Sequence, residues 1–410
     1  MSGMGNGIAL VALPWIVLEL TGEATAAAIV ATATALPLVI SSVFSGTVVD
    51  LLGRRATSMA SDLASALAVA AIPLLSMTVG LSVPAVAALA ALGAVFDPAG
   101  VTARESMLPD AALRAGLQLQ RANGTHEAIW GIAFLVGPGV GGLLIALVGA
   151  ITTMWATAVG FLTAIVLIAM ARVPASGRPA GADRPAGLLA GTVDGLRFFW
   201  NDRLLRVLGL VSTVIVALYL PIEGVLLPAW FQEQGAPRQL GAVVMALSAG
   251  GVVGSLAYGQ WGGRVGRRAL YLTAILATAI ALIAMATLPP MPLLIASAVT
   301  IGVMYGPIQP VVNLAVQTRT PPRLRGRVIG VLVAAEYAAG PVGYLTAGPA
   351  VDAFGVRPTF LGLAAAVLVV AAALVLLPSL RLLDDLPDTP PDDDVPPTIV
   401  MPPGASPTKP

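Results

Sequence analysis

Of the 410 residues, 57% are hydrophobic and only 10% charged, and the mean hydropathy is +0.89. A water-soluble domain carries roughly 25% charged residues, so a soluble enzyme and a nucleic-acid-binding protein are excluded and a lipid-embedded chain is expected. The net charge of +1 hides an asymmetry: the tail beyond Leu383 holds six aspartates and one lysine, and the rest of the chain carries 21 basic against 15 acidic residues, or +6.

Twelve apolar runs lie near the roughly 20 residues that a spanning helix needs. The first six are Met4–Leu20, Ala24–Val49, Ala56–Val79, Pro84–Val101, Leu119–Val148 and Thr152–Ala171. After a break come Leu204–Ala229, Leu240–Tyr258, Ala269–Leu288, Leu293–Val312, Val328–Gly348 and Thr359–Leu377. Nineteen of the 22 basic residues fall in one alternate set of connections, and only Arg238 and Arg357 in the other. The positive-inside rule makes the first set cytoplasmic and places both termini inside. Residues 1–172 and 202–381 then form two six-helix bundles. Between them, 173–201 reads as a flexible linker leading into Leu188–Trp200, where Leu189, Val193, Leu196 and Phe199 share one helical face. That face either lies on the inner membrane surface or covers the ends of the bundle. The segment 382–410 is acidic and rich in proline, and it is expected to be a disordered cytoplasmic tail.

One stretch recurs. Gly46-Thr-Val-Val-Asp50-Leu-Leu-Gly53-Arg54-Arg55 separates the second and third runs, and Gly259-Gln-Trp-Gly-Gly263-Arg-Val-Gly266-Arg267-Arg268 separates the eighth and ninth, 213 residues later. Two glycines and two arginines keep their spacing, while Gly263 stands where the first copy has Asp50. Such a repeat in a membrane chain implies two homologous halves. The pattern resembles the signature loop of the major facilitator superfamily. Gly137-Pro138-Gly-Val-Gly141-Gly142 is similar to the fifth-helix signature of its proton-coupled antiporters, and Gly340-Pro341-Val-Gly343 is a weaker echo. Four stretches resemble the macrolide-efflux and enterobactin-exporter branch: Pro14-Trp15 through Gly22, Phe96-Asp97-Pro98, Leu108-Pro109 with Ala122-Asn123, and Pro321 through Val328. The chain departs from that branch at Asn6, often an aspartate there, and has no arginine inside the fourth run, the nearest being Arg104. The first helix starts almost at Met1, which leaves open a late start codon or a short helix.

The resemblance implies an all-α membrane protein of the major facilitator fold, its two six-helix bundles related by a pseudo-two-fold axis along the membrane normal. It further implies a monomeric secondary transporter of a bacterial cytoplasmic membrane, exporting small lipophilic or cationic molecules in exchange for protons. A specific siderophore or metabolite exporter and a lysophospholipid flippase are the alternatives. No G-x-x-x-x-G-K-[ST] motif occurs, so nothing points to ATP as the driving force. With no cysteine and a single His126, neither a metal nor a cofactor is expected.

A charge near the bilayer centre costs about 2.5–3.5 kcal/mol or more, so each intramembrane carboxylate calls for a partner or a function. Glu127, Glu336 and Asp97 are the candidates for proton coupling. The structural alternative for Asp97 is a pair with Arg104 two turns along the same helix. Asp62 is expected to answer Arg54 and Arg55. Trp15, Phe96, Tyr219, Glu223, Tyr305, Gln309 and Asn313 are candidates for lining the substrate cavity, the aromatic rings for stacking and for attracting cations. Gly46, Asp50, Gly53, Arg54, Arg55 and Arg327 are expected to form a conformational latch, with Asp50 facing the start of the eleventh helix. Gly137, Pro138, Gly141 and Gly142 are expected to form a hinge.

Overall fold

The computed structural model describes residues 1–116, 119–170, 188–261, 264–320 and 322–386. In hydrocarbon an unpaired backbone polar group costs several kcal/mol, so the apolar runs have little choice but to become helices. Twelve spans long and apolar enough to cross a bilayer result, among the described residues. The first half holds α1 (Ser2–Thr21), α2 (Ala24–Leu52), α3 (Arg54–Thr78), α4 (Val83–Val95), α5 (Asp97–Arg114), α6 (Leu119–Val148) and α7 (Ala150–Met170). Helix α8 (Leu188–Asn201) leads into the second half. There follow α9 (Arg203–Pro221), α10 (Leu227–Glu233), α11 (Pro237–Trp261), α12 (Arg267–Ala286), α13 (Met291–Tyr305), α14 (Ile308–Arg319), α15 (Pro322–Phe354) and α16 (Val356–Val375).

Three spans are broken, each beside a proline. Pro98 has no N–H to return to the carbonyl one turn back, and α4 gives way to α5 at Phe96. Pro307 does the same between α13 and α14. After Pro221 the chain runs through a π turn, Ile222–Leu226, before α10 resumes. Phe96-Asp97-Pro98 and Tyr305-Gly306-Pro307 occupy matching places in the two halves.

The repeat is also visible in the turns. Gly22 and Gly235 close the first span of each half with φ of 70° and 60°, a region that costs other residues strain. In the recurring stretch the two copies differ: Gly53 joins α2 to α3 at φ 88°, whereas Gly266 sits at φ −55° and needs no glycine.

Inside each half the packing corresponds: α1 lies on α6 and α9 on α15, α2 on α4 and α11 on α13. Between the halves two seams run, α2 against α15 and α6 against α11. A two-fold rotation exchanges these seams, which is the pseudo-symmetry of the fold. Lipid gives helices no hydrophobic reason to associate, so close packing of small residues takes over. A Cβ on Gly302 would lie 2.1 Å from the Leu247 carbonyl, and one on Gly343 would lie 2.1 Å from that of Ala217.

Two connections differ from the sequence expectation. In α8, Phe199 is buried against Gly209 while Leu196 and Trp200 are exposed. The helix therefore packs on α9 and α15, and the expected common face divides; the side chains of Leu189 and Val193 lie outside the described residues. The described chain also continues past 381, to Leu386. A 3-10 turn (Pro378–Leu383) follows α16, Leu380, Leu383 and Leu386 are buried, and Asp384 accepts from the Arg268 backbone N–H at 3.0 Å. Spacing of these leucines, inside a stretch dominated by proline and aspartate, docks the start of the tail on α12. Residues 387–410 lie outside the described part.

Candidate substrate cavity and the charged groups around it

A cavity of about 300 Å³ lies against the first half, walled by α1, α2, α3 and α4 and bounded from the second half by Gly224 and Tyr344. Its surface is mostly aliphatic: Leu13, Val30, Val69, Ile72 and Leu89 contribute to it, with Phe134 and Phe161 adding rings. The polar lining is sparse: Thr34 and Ser65 spend their hydroxyls on the Val30 and Gly93 carbonyls, Tyr344 borders the cavity from the second half, and the Asn6 amide donates to the Asp97 carboxylate at 3.3 Å. Because α5 begins at Asp97, the break in the fourth span presents this carboxylate to the cavity.

The pairing of charges corrects the sequence expectation. Arg104 binds Asp62 at 3.1 Å, not Asp97, and the Ser2 hydroxyl donates to the same Asp62 oxygen at 2.9 Å. Asp62 is 1% exposed and looks toward α5, which explains why Arg54 and Arg55 are not its partners. Arg55 donates to the Ala169 carbonyl. In the second half, Asp202 caps α9 by accepting from the Leu204 and Leu205 N–H groups and holds Arg319 at 2.8 Å.

The remaining candidates separate into groups. Trp15 is 3% exposed and donates to Glu19 at 2.7 Å, so it belongs to the bundle interior rather than to the cavity wall. Phe96 is exposed at the α4–α5 break. Tyr219 stacks on Tyr305 with centroids 5.3 Å apart and planes 11° from parallel, and its hydroxyl donates to Glu223 at 2.7 Å. This stack bridges two of the proline breaks, and Gly224, next to Glu223, is where the π turn meets the cavity. Gln309 is half-buried and Asn313 exposed, both on α14. Glu336 on α15 accepts from the Ser212 hydroxyl of α9. For Gly46, Asp50, Glu127 and Arg327 the helical backbone is described but the side-chain surroundings lie outside the described residues. The expected Asp50 latch and the Glu127 environment therefore stay proposals.

The antiporter-like glycines face two ways. Gly137 and Gly141 receive α1, with a Cβ on each coming within 2.9 Å of Gly7 Cα and 3.2 Å of Ile8 Cα. Gly142 points across the seam instead, where a Cβ would lie 2.4 Å from the Pro237 carbonyl oxygen of α11. At the other seam a Cβ on Gly348 would lie 2.6 Å from Ala28. Among the described residues, such tight approaches between the halves fall in the part of the bundle away from Gly53-Arg54-Arg55. There the Asp352 carboxylate at the end of α15 also accepts from the Ala24 and Thr25 N–H groups of α2, at 2.8 and 2.9 Å. A carboxylate on a helix N-terminus is favoured by about 0.3–1 kcal/mol. Sequence reading passed over Asp352, since an aspartate at the end of an apolar run reads as an ordinary interfacial residue. We expect Asp352→Ala to loosen this end of the molecule. The cysteine-free chain allows a clean check: a single cysteine at Ala24, only 2% exposed, should be alkylated several-fold faster in the variant, and an unchanged rate would remove Asp352 from the seam's energetics.

Comparison with known proteins agrees with this architecture. The profile of the family described as transmembrane secretion effector matches residues 1–401. The multidrug efflux pump Tap of Mycobacterium tuberculosis (strain ATCC 25618 / H37Rv) is 47% identical over 390 residues, covering 94% of this chain and 93% of its own. Its namesake from Mycolicibacterium fortuitum is 47% identical over 386 residues, covering 93% and 94%. Among solved structures, the nucleoside transporter NupG superposes with a TM-score of 0.75 at 14% identity, covering 92% of this chain and 96% of its own. A bacterial homologue of the human lysosomal transporter Spinster, in an inward-facing and unoccupied conformation, gives 0.68 at 14% identity, covering 94% and 96%. At such identity the structural likeness speaks for the fold alone.

Proposed function

The chain belongs to the transmembrane secretion effector family of the major facilitator superfamily, and on that premise we propose that it exports lipophilic small molecules of unrelated kinds in exchange for protons. The observation that carries this reading is the mostly aliphatic and aromatic cavity, lined chiefly by the first half and bounded by Gly224 and Tyr344 of the second, with few polar side chains. A wall of that kind binds by area burial and discriminates weakly among shapes, as a multidrug pump requires. The 47% identity to pumps named for multidrug efflux supports the same substrate class.

Transport proceeds by rocking one half against the other, so that the cavity meets each side of the membrane in turn. With the arginine-rich connections taken as cytoplasmic, the seams packed at Gly142 and Asp352 lie on the outer side, which supports an inward-facing reading. Release outward requires those contacts to part and the Gly53-Arg54-Arg55 end to close, the step in which Asp50 and Arg327 act as the inner latch. We assign the coupled proton to Glu336. It lies within a spanning helix, is half-buried, and has a neutral hydroxyl rather than a cation as its partner. A carboxyl so placed is tolerated when it carries a proton and is costly when it does not.

The test is accumulation in a host stripped of its own efflux pumps. Expression of the protein should lower the steady-state level of at least three chemically unrelated lipophilic dyes about threefold or more, and a protonophore should abolish the difference. Glu336→Gln, at equal abundance in the membrane, should return accumulation to that of the empty host. Unchanged accumulation of all dyes would refute export, and full efflux by Glu336→Gln would refute the proton assignment.

A further inference from the structure

The fate of Arg104 bears on what the cavity can hold. Arg104 is engaged by Asp62 at 3.1 Å, and although its charge reaches Asp97 from a distance, among the described residues no cation lies within ion-pair distance of Asp97. Among the described residues, Asp97 is the one charged side chain lining the cavity. Its hydrogen-bond partner is the neutral Asn6 amide at 3.3 Å, a long contact for a carboxylate that ordinarily attracts shorter, charge-assisted bonds. A carboxylate in such a place is stabilised most by an opposite charge brought to it. The cavity then offers the rest of a cation site. Its aliphatic walls take an apolar body, and Phe134, 38% exposed, offers ring surface that favours positive charge. Phe134 is itself held in place by stacking on Trp130, with centroids 5.1 Å apart. The volume of about 300 Å³ is at the small end of the range for drug-sized ligands, and fits one or two fused rings carrying a compact cationic head.

We propose that Asp97 is the cation-recognition residue of a substrate subsite in the first half, and that this subsite takes lipophilic monovalent cations with the charged head at Asp97 and the apolar body among α1 to α4. The proposal rests on the export reading for its setting but concerns binding, which can be measured without transport. It also separates two tasks: Asp97 recognises substrate charge, and Glu336 on the other half carries the proton.

A pair of isosteres isolates the charge. (2-Naphthylmethyl)trimethylammonium and its uncharged carbon analogue 2-neopentylnaphthalene share shape and area, and binding of each to purified protein in lipid nanodiscs can be followed by naphthalene fluorescence against empty discs. The wild-type protein should bind the cation at least tenfold more tightly than the neutral analogue. Asp97→Asn keeps an acceptor for Asn6 and should lose at least tenfold in affinity for the cation, while binding of the neutral analogue stays within twofold; that neutral binding also certifies the fold of the variant. Asp97→Glu should retain the preference for the cation. The proposal is overturned if Asp97→Asn binds the cation as the wild type does, if both ligands weaken together, or if the wild-type protein binds neither. Should the charge-selective binding appear while proteoliposomes move no ligand, the subsite stands and the export reading falls.

Discussion

Gly142→Leu should leave a folded, membrane-inserted protein that no longer exports. A Cβ alone at this position would lie 2.4 Å from the Pro237 carbonyl oxygen and 3.0 Å from Gly241 Cα. Both obstacles are backbone atoms, which cannot swing aside as a side chain would. Overpacking in a fixed core costs typically about 1–3 kcal/mol and more when only backbone can yield. Here the clash lies between two bodies, and the cheaper relaxation is to separate them at the seam. The variant should therefore be held open at the arginine-poor end, with export reduced more than tenfold and the Ala24 cysteine alkylated fast. Gly302→Leu makes the contrast, because its clash with the Leu247 carbonyl lies inside the second half and should lower expression of folded protein instead. Wild-type export by Gly142→Leu would show that this seam does not close during transport.

Arg104→Met should be the most destabilising single change at a charged position. Asp62 is 1% exposed, and its second oxygen has no hydrogen-bond partner among the described residues. Removing the guanidinium leaves that carboxylate with the Ser2 hydroxyl alone, and breaking a buried pair from one side costs about 3–5 kcal/mol. The matching double change, Asp62→Asn with Arg104→Met, removes the stranded charge as well and should recover most of the loss. Thermal unfolding in detergent reads both. A double variant as unstable as Arg104→Met, or a single variant as stable as the wild type, would mean that the pair contributes little.

Much of the fold is legible in the sequence because lipid simplifies the problem. Runs of apolar residues must be helices, so α6 begins and ends where its run does, and the recurrence of Gly46 through Arg55 announces two halves. Tertiary pairing is another matter. Asp62 and Arg104 sit on different helices, and nothing in their spacing says that they meet; the nearer arginines in sequence, Arg54 and Arg55, were the natural guess. Asp97 and Asn6 lie 91 residues apart and likewise come together only through the packing of α1 on the broken fourth span. Prolines give only partial warning: Pro98, Pro221 and Pro307 stand at interruptions, whereas Pro14, Pro37, Pro73, Pro138, Pro341 and Pro349 lie inside continuous helices. The aromatic candidates divide for a similar reason. Which face of a helix meets a neighbour and which meets a cavity depends on the neighbour: Trp15 and Tyr219 each bond a glutamate one turn on, and only the packing shows that Tyr219 also stacks on Tyr305.

The central claim, proton-driven export through the cavity between the halves, is tested most directly with purified protein in sealed proteoliposomes under an imposed pH difference. Accumulation of a lipophilic fluorescent cation such as ethidium should rise several-fold above that in protein-free vesicles, run against its own gradient, and collapse when a protonophore is added. Accumulation equal to that of protein-free vesicles, with the pH difference imposed in either direction, would contradict the account.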